Sequence, residues 1–145
     1  MSDWIGHECG IAAIRLLKPL DYYIQKYGTP MYGVNKLTLL MEKQHNRGQD
    51  GAGAAVIKLD MPPGEPYIFR TRSAGKNPIM EVSNRLVRSF TEARDRNPKE
   101  YQNGKWVKEN ILFAGELLLG HLRYGTFGGS GETFCHPFLR QNNWM

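Results

Sequence analysis

Short apolar runs, punctuated by glycine and separated by segments of helical periodicity, constrain this chain more than any other feature. Gly10 to Arg15 reads as a strand, closed off by Pro19. Leu20 to Tyr27 reads as a helical turn before Gly28-Thr29-Pro30. From Val34 to Gln44 the apolar residues fall at Val34, Leu37, Leu40 and Met41. That spacing predicts a helix with one face on a core, stopping near Asn46 to Gly48. Ala52 to Lys58 is predicted as a strand of small and β-branched residues. Met61-Pro62-Pro63-Gly64 is a turn, and the alternation from Pro66 to Arg72 makes a second strand of a hairpin-like pair. Ile79, Val82, Leu86 and Phe90 predict another amphipathic helix. Arg94 to Lys108 is polar and reads as an inserted excursion, and Ile111 to Tyr124 returns to strand character.

Size and composition exclude several classes. A chain of 145 residues fits one domain and could bury roughly 70% of its unfolded surface. With 41% hydrophobic and 23% charged residues, it is not a disordered chain. Apolar runs such as Ile11 to Ile14 and Leu117 to Leu119 are far short of the about 20 residues a membrane span needs. The first ten residues carry Asp3, His7 and Glu8 and do not resemble a signal peptide. The expected location is the cytoplasm, with no membrane partner. The net charge of +5 is spread along the chain. Its richest stretch, Asn84 to Asn110, mixes both signs and reads as a solvated helix and turn, so no nucleic-acid partner is expected. Cys9 and Cys135 lie far apart, form no metal-type pair and are expected as free thiols in a reducing compartment.

Six of the 16 glycines fall between Gly115 and Gly131. A Gly-rich turn after an apolar strand lets backbone approach a ligand closely, though a plain flexible loop has the same composition. Arg47 and Arg123 stand beside glycines, where a guanidinium can grip a carboxylate or phosphate through two hydrogen bonds. A surface arginine is the alternative. Cys9 opens the first strand, with Gly10 beside it leaving the thiol open. Taken alone, a free cysteine is more often a small core hydrophobe than a nucleophile, and Cys135 fits that reading still better. His45 and His121 fit core or helix-end histidines as well as catalytic ones. Asp50, in Gly48-Gln49-Asp50-Gly51, is most simply a turn residue.

The combination is more specific than its parts. Glu8-Cys9-Gly10-Ile11-Ala12-Ala13-Ile14 is followed by Gln44-His45-Asn46-Arg47-Gly48-Gln49-Asp50-Gly51-Ala52-Gly53. Then come Gly120-His121-Leu122-Arg123-Tyr124-Gly125-Thr126-Phe127-Gly128-Gly129 and His136-Pro137-Phe138. In this order the segments resemble the class II, N-terminal-nucleophile glutamine amidotransferases, and among them the amidophosphoribosyltransferases of purine synthesis. The resemblance implies an α+β fold: the N-terminal portion of a four-layer α/β/β/α sandwich, its two sheets incomplete here. It implies a propeptide over residues 1–8, cut between Glu8 and Cys9, and an amidotransferase region over 9–145 in which 94–110 is an insertion.

The chemistry implied is glutamine hydrolysis through a cysteine thioester. Cys9 is the nucleophile, and its freed α-amine, with a pKa near 8, is the general base that spares the site a histidine. Arg123 holds the α-carboxylate of glutamine, and Tyr124 and Thr126 line the same pocket. Arg47, Gly48 and Gly10 support the nucleophile strand. No cofactor or metal is implied for this half; magnesium with phosphoribosyl pyrophosphate belongs to an acceptor domain outside this chain. Glutamine and that ammonia-accepting domain are the expected partners, in a homo-oligomeric full-length enzyme. Asn46, between His45 and Arg47, departs from the family's His-Arg-Gly. The family's oxyanion-hole Asn-Gly pair and its ammonium-binding Asp do not occur before Met145. The chain is therefore expected to be the N-terminal part of a longer enzyme and inactive alone. The same family serves other acceptors (fructose-6-phosphate, aspartate, 2-oxoglutarate), and a non-catalytic remnant is the reading from another class.

Overall fold

Four strands pair into one antiparallel sheet in the computed structural model, which describes residues 8–125 and 129–140. They are β1 (Gly10–Arg15), β2 (Gly51–Ile57), β3 (Ile68–Ser73) and β4 (Leu117–Arg123), in the spatial order β1-β4-β2-β3. The last strand in sequence thus lies inside the sheet. β4 sets Leu122 opposite Gly10 of β1 and His121 opposite Gly53 of β2. β2 and β3 form the expected antiparallel pair, and β3 starts only after Pro66, which has no N–H for the ladder. The expected strand from Ile111 to Tyr124 is shorter than its apolar character suggests. Ile111 instead caps the preceding helix, its N–H bonded to the Val107 carbonyl, and Ile111, Phe113 and Ala114 enter the core from a turn.

Four helices accompany the sheet, α1 (Leu20–Tyr27), α2 (Tyr32–Lys43), α3 (Pro78–Arg96) and α4 (Gly104–Asn110), and α2 and α3 lie side by side on one of its faces. α2 packs on β1 and β4, α3 on β2 and β3, and α1 against α4. The architecture is therefore α+β, with α2 and α3 on one side of the sheet. The apolar periodicity read from sequence is the buried face. Val34, Leu37 and Met41 of α2 and Val82, Leu86 and Phe90 of α3 meet Ala12, Ala54, Val56, Leu118 and Leu122 of the sheet. Full burial of each large side chain contributes about 1.5–3 kcal/mol. α1 is a full helix rather than a turn. It ends at Gly28, whose φ of 71° suits glycine and whose N–H bonds the Ile24 carbonyl at 2.8 Å. α2 ends in a 3-10 turn at His45–Arg47, where the sequence predicts a stop.

The polar stretch from Arg94 to Asn110 is not a loose excursion. It supplies the last turn of α3 and all of α4, and it buries Tyr101 and Val107. The Gly104 N–H donates to the Asp21 carboxylate at 2.7 Å, fastening α4 to α1. Its polarity is that of an outer face, with Lys99, Glu100, Lys105 and Glu109 exposed. Residues 1–7 of the expected propeptide lie outside the described residues. Among the described residues no helix is long and apolar enough to cross a membrane.

Candidate functional site

Side chains alternate along a strand, so the register sorts the residues between the two faces. Ala12, Leu118 and Leu122 point into the helix layer. Ile11 stands opposite His121 on the other face, and Gly53 faces His121 from β2. Cys9 stands just before β1, one residue beyond the Gly10–Leu122 pair, and Arg123 closes β4 at the same end, opposite Gly51 of β2. The thiol and the guanidinium read from sequence, 114 residues apart in the chain, thus share one end of the sheet.

Cys9 is exposed, and the Tyr124 backbone N–H donates to its sulfur at 3.5 Å. Arg123 is only 7% exposed. Its guanidinium donates to the Gly129 carbonyl at 2.8 Å and lies 5.4 Å from the centre of the Phe134 ring. No carboxylate pairs with it among the described residues. A guanidinium carries five N–H donors in a fork, a geometry that can hold a carboxylate through two hydrogen bonds.

The segment from Gln44 to Gly51 buttresses this end of the sheet. A Cβ on Gly48 would sit 2.5 Å from the Leu122 carbonyl carbon, so only glycine lets the turn pass behind β4. The Gln44 amide donates to the Ile11 carbonyl at 3.2 Å, and its oxygen lies against Gly10. Asp50 does more than turn the chain. Its N–H donates to the Arg123 carbonyl at 3.1 Å, and its carboxylate accepts the Gly125 N–H at 2.7 Å. Gln44 and Asp50 lie inside the motif, Asp50 next to Gly51, which is the signal by which a sequence reading could find them. Arg47 is exposed on the 3-10 turn, while Gln44 and Gly48 on either side make the contacts to β1 and β4.

Residues 129–140 run as a strap over the β2–β3 half of this face. The strap brings the His136 carbonyl against Gly53, where a Cβ would clash outright with it. Arg72 donates to the Cys135 carbonyl at 3.0 Å and Arg70 to the Pro137 carbonyl at 3.1 Å. Cys135 is fully buried beside Gly51, and burial pushes its thiol pKa up, as an inert core cysteine requires. The His121 and His136 rings lie 4.7 Å apart. His121 Nδ1 is buried with no hydrogen-bond partner. Burial first, then His136 and Arg123, hold the His121 pKa below its usual value.

Of the remaining sequence-predicted residues, Tyr124 is half-buried at the end of β4 and Glu8 is exposed. Thr126 lies outside the described residues. His45 is exposed, its Nδ1 at 2.9 Å from the Glu42 carbonyl. With Gly48 and Gln49 it lines a cavity of about 400 Å³ at the start of α3, away from the thiol. No group of three or more His, Cys, Asp or Glu side chains is arranged to hold a metal ion among the described residues. No protein-family model matches this chain, and no curated protein is significantly similar to it.

Proposed function

We propose that this chain is the nucleophile-bearing part of a class II glutamine amidotransferase of the amidophosphoribosyltransferase type, in which Cys9 releases ammonia from glutamine. The observation that carries the reading is an exposed Cys9 thiol at the end of the sheet where β4 closes on Arg123, the next residue, Tyr124, donating its N–H to the sulfur at 3.5 Å. Arg123 anchors the α-carboxylate of glutamine and so fixes the distance of its side-chain amide from the thiol. The thiolate attacks the amide carbon, the C–N bond breaks, and ammonia leaves with the proton returned by the α-amine of Cys9. Water then cleaves the thioester to glutamate. The Tyr124 N–H, 3.5 Å from the sulfur, holds the thiol at the end of β4.

Two further features support the reading. The α-amine acts as base only after cleavage between Glu8 and Cys9, and both residues are exposed. The sheet face opposite the helices leaves Ile11 72% exposed, which suits a second sheet completing an α/β/β/α sandwich. Ammonia passes to an acceptor, phosphoribosyl pyrophosphate by this reading, bound with magnesium on a domain outside the chain.

The test is glutamate release by the protein that carries this chain. Mass spectrometry is expected to find Cys9 as the first residue, and Cys9→Ala is expected to lower hydrolysis by more than about 10³-fold. The 145 residues alone, without an oxyanion-hole pair of their own, are expected to release negligible glutamate. Unchanged hydrolysis in Cys9→Ala overturns the proposal.

A further inference from the structure

The strap over residues 129–138 is held by contacts of two kinds. In one, Arg70 and Arg72 donate to the Pro137 and Cys135 carbonyls. In the other, the His136 ring lies 4.7 Å from the His121 ring, tilted by 32°, and a ring nitrogen of His121 is buried without a hydrogen-bond partner. Phe138 adds a third ring, 4.3 Å from that of His136. The same strap also confines Arg123, through the Gly129 carbonyl and the Phe134 ring.

Burial, then His136 of the strap and Arg123 of β4, disfavour a proton on His121. β3 carries Arg72 and Arg70 on the far side of β2, across Gly53 and Ala55. β2 contributes Gly51, Gly53 and Ala55, with no titratable group, and β1 contributes Cys9 beyond Ile11. The strap's carboxylate, Glu132, acts at the Cys135 end.

We propose that the His121–His136 contact is an acid-released clasp: a proton on His121 lifts residues 129–138 from the sheet and frees Arg123 from Gly129 and Phe134. The sign follows from linkage. Burial lowers the His121 pKa in the fastened state from the ordinary 6.5. The clasp is therefore at full strength above 6.5, weakens as pH falls below it, and is lost as pH passes through the lowered value. The regulatory meaning, a carboxylate anchor loosened by acid, rests on the proposed glutaminase function. The clasp itself does not.

Hydrogen exchange on the 145-residue chain from about pH 8 to about pH 5, with rates normalised for the chemical effect of pH, reads the clasp without glutamine. Protection of strap amides is expected to stay level above about 6.5 and to fall by up to about tenfold per pH unit below it. Amides of α3 serve as the unchanging reference. His121→Phe keeps a stacked ring and removes the proton, so its strap protection is expected to be flat across the range. Level protection in the unaltered chain, or an acid-dependent loss that persists in His121→Phe, overturns the proposal. If that variant fails to fold, an NMR titration of the His121 ring in the unaltered chain decides: an apparent pKa at or above 6.5 overturns the proposal equally. Failure of the clasp leaves the Cys9 assay untouched, and loss of the Cys9 reading leaves the exchange result standing.

Discussion

Gly53 and Gly48 show how single residues decide what this sheet can carry. The His136 carbonyl occupies the space of a Gly53 side chain, and the β4 backbone occupies that of Gly48. Neither restriction comes from an unusual φ; both come from close approach. Lys58 poses the opposite problem, a cation in a core that has little to offer it. Its ammonium lies 4.7 Å over the Phe69 ring and is only 4% exposed as a residue, and burial with nearby Lys108 brings its pKa down to about 8. Glu116 is already bonded to Lys108 at 2.7 Å and to the Leu59 N–H at 2.9 Å. Because the folded pKa lies below the ordinary 10.5, the penalty is full below about 8 and gone above 10.5. Lys58→Met is accordingly expected to raise stability at neutral pH by up to about 3 kcal/mol. That gain should vanish as urea denaturation is repeated toward pH 10.5.

At the scale of elements, α3 is the principal support of the β2–β3 half. Its periodicity is clean because Val82, Leu86, Phe90 and Ala93 all meet the sheet, while Arg85, Arg88 and Glu92 stay outside. It starts at Pro78, and Glu81 serves the cap: its carboxylate accepts from the Asn77 N–H and the Ser73 hydroxyl, and both hold its pKa below the usual range. Phe90 is 1% exposed. Phe90→Ala is expected to cost about 3–5 kcal/mol in urea denaturation, the loss of a full aromatic side chain plus the cavity it leaves. The clasp belongs to this scale too, since the strap is held by one sheet face and carries no strand of its own.

For the whole molecule the decisive asymmetry is between the two faces of the sheet. One is buried by helices. The other carries the thiol, the arginine and the strap, yet leaves Ile11 and Ala13 uncovered at the β1 edge. Ile11→Asp tests the proposed second layer. In the 145-residue chain the change is expected to alter stability by less than about 0.5 kcal/mol, as at any exposed site. In the protein that carries this chain it is expected to cost about 2 kcal/mol or more, because a second sheet would bury the side chain. Equal, small effects in both would remove the sandwich from the proposal.

Local chemistry alone determined much of this protein. The α2 and α3 faces, the β2–β3 pair, the stop near Asn46 to Gly48 and the buried state of Cys135 all follow from periodicity, turn residues and hydrophobicity, which act between neighbours in the chain. Tertiary structure decided what depends on distant partners. The segment from Arg94 to Asn110 looked like an excursion because its apolar residues are too few to show a period, yet Tyr101 and Val107 find a core between α1 and the sheet. The strand expected from Ile111 shrank because Ile111 and Phe113 are satisfied from a turn. The placement of β4 inside the sheet is what brings Cys9 to the Tyr124 N–H next to Arg123 and sets His121 against His136. A cross-strand register joins residues more than a hundred positions apart, and no local preference encodes it.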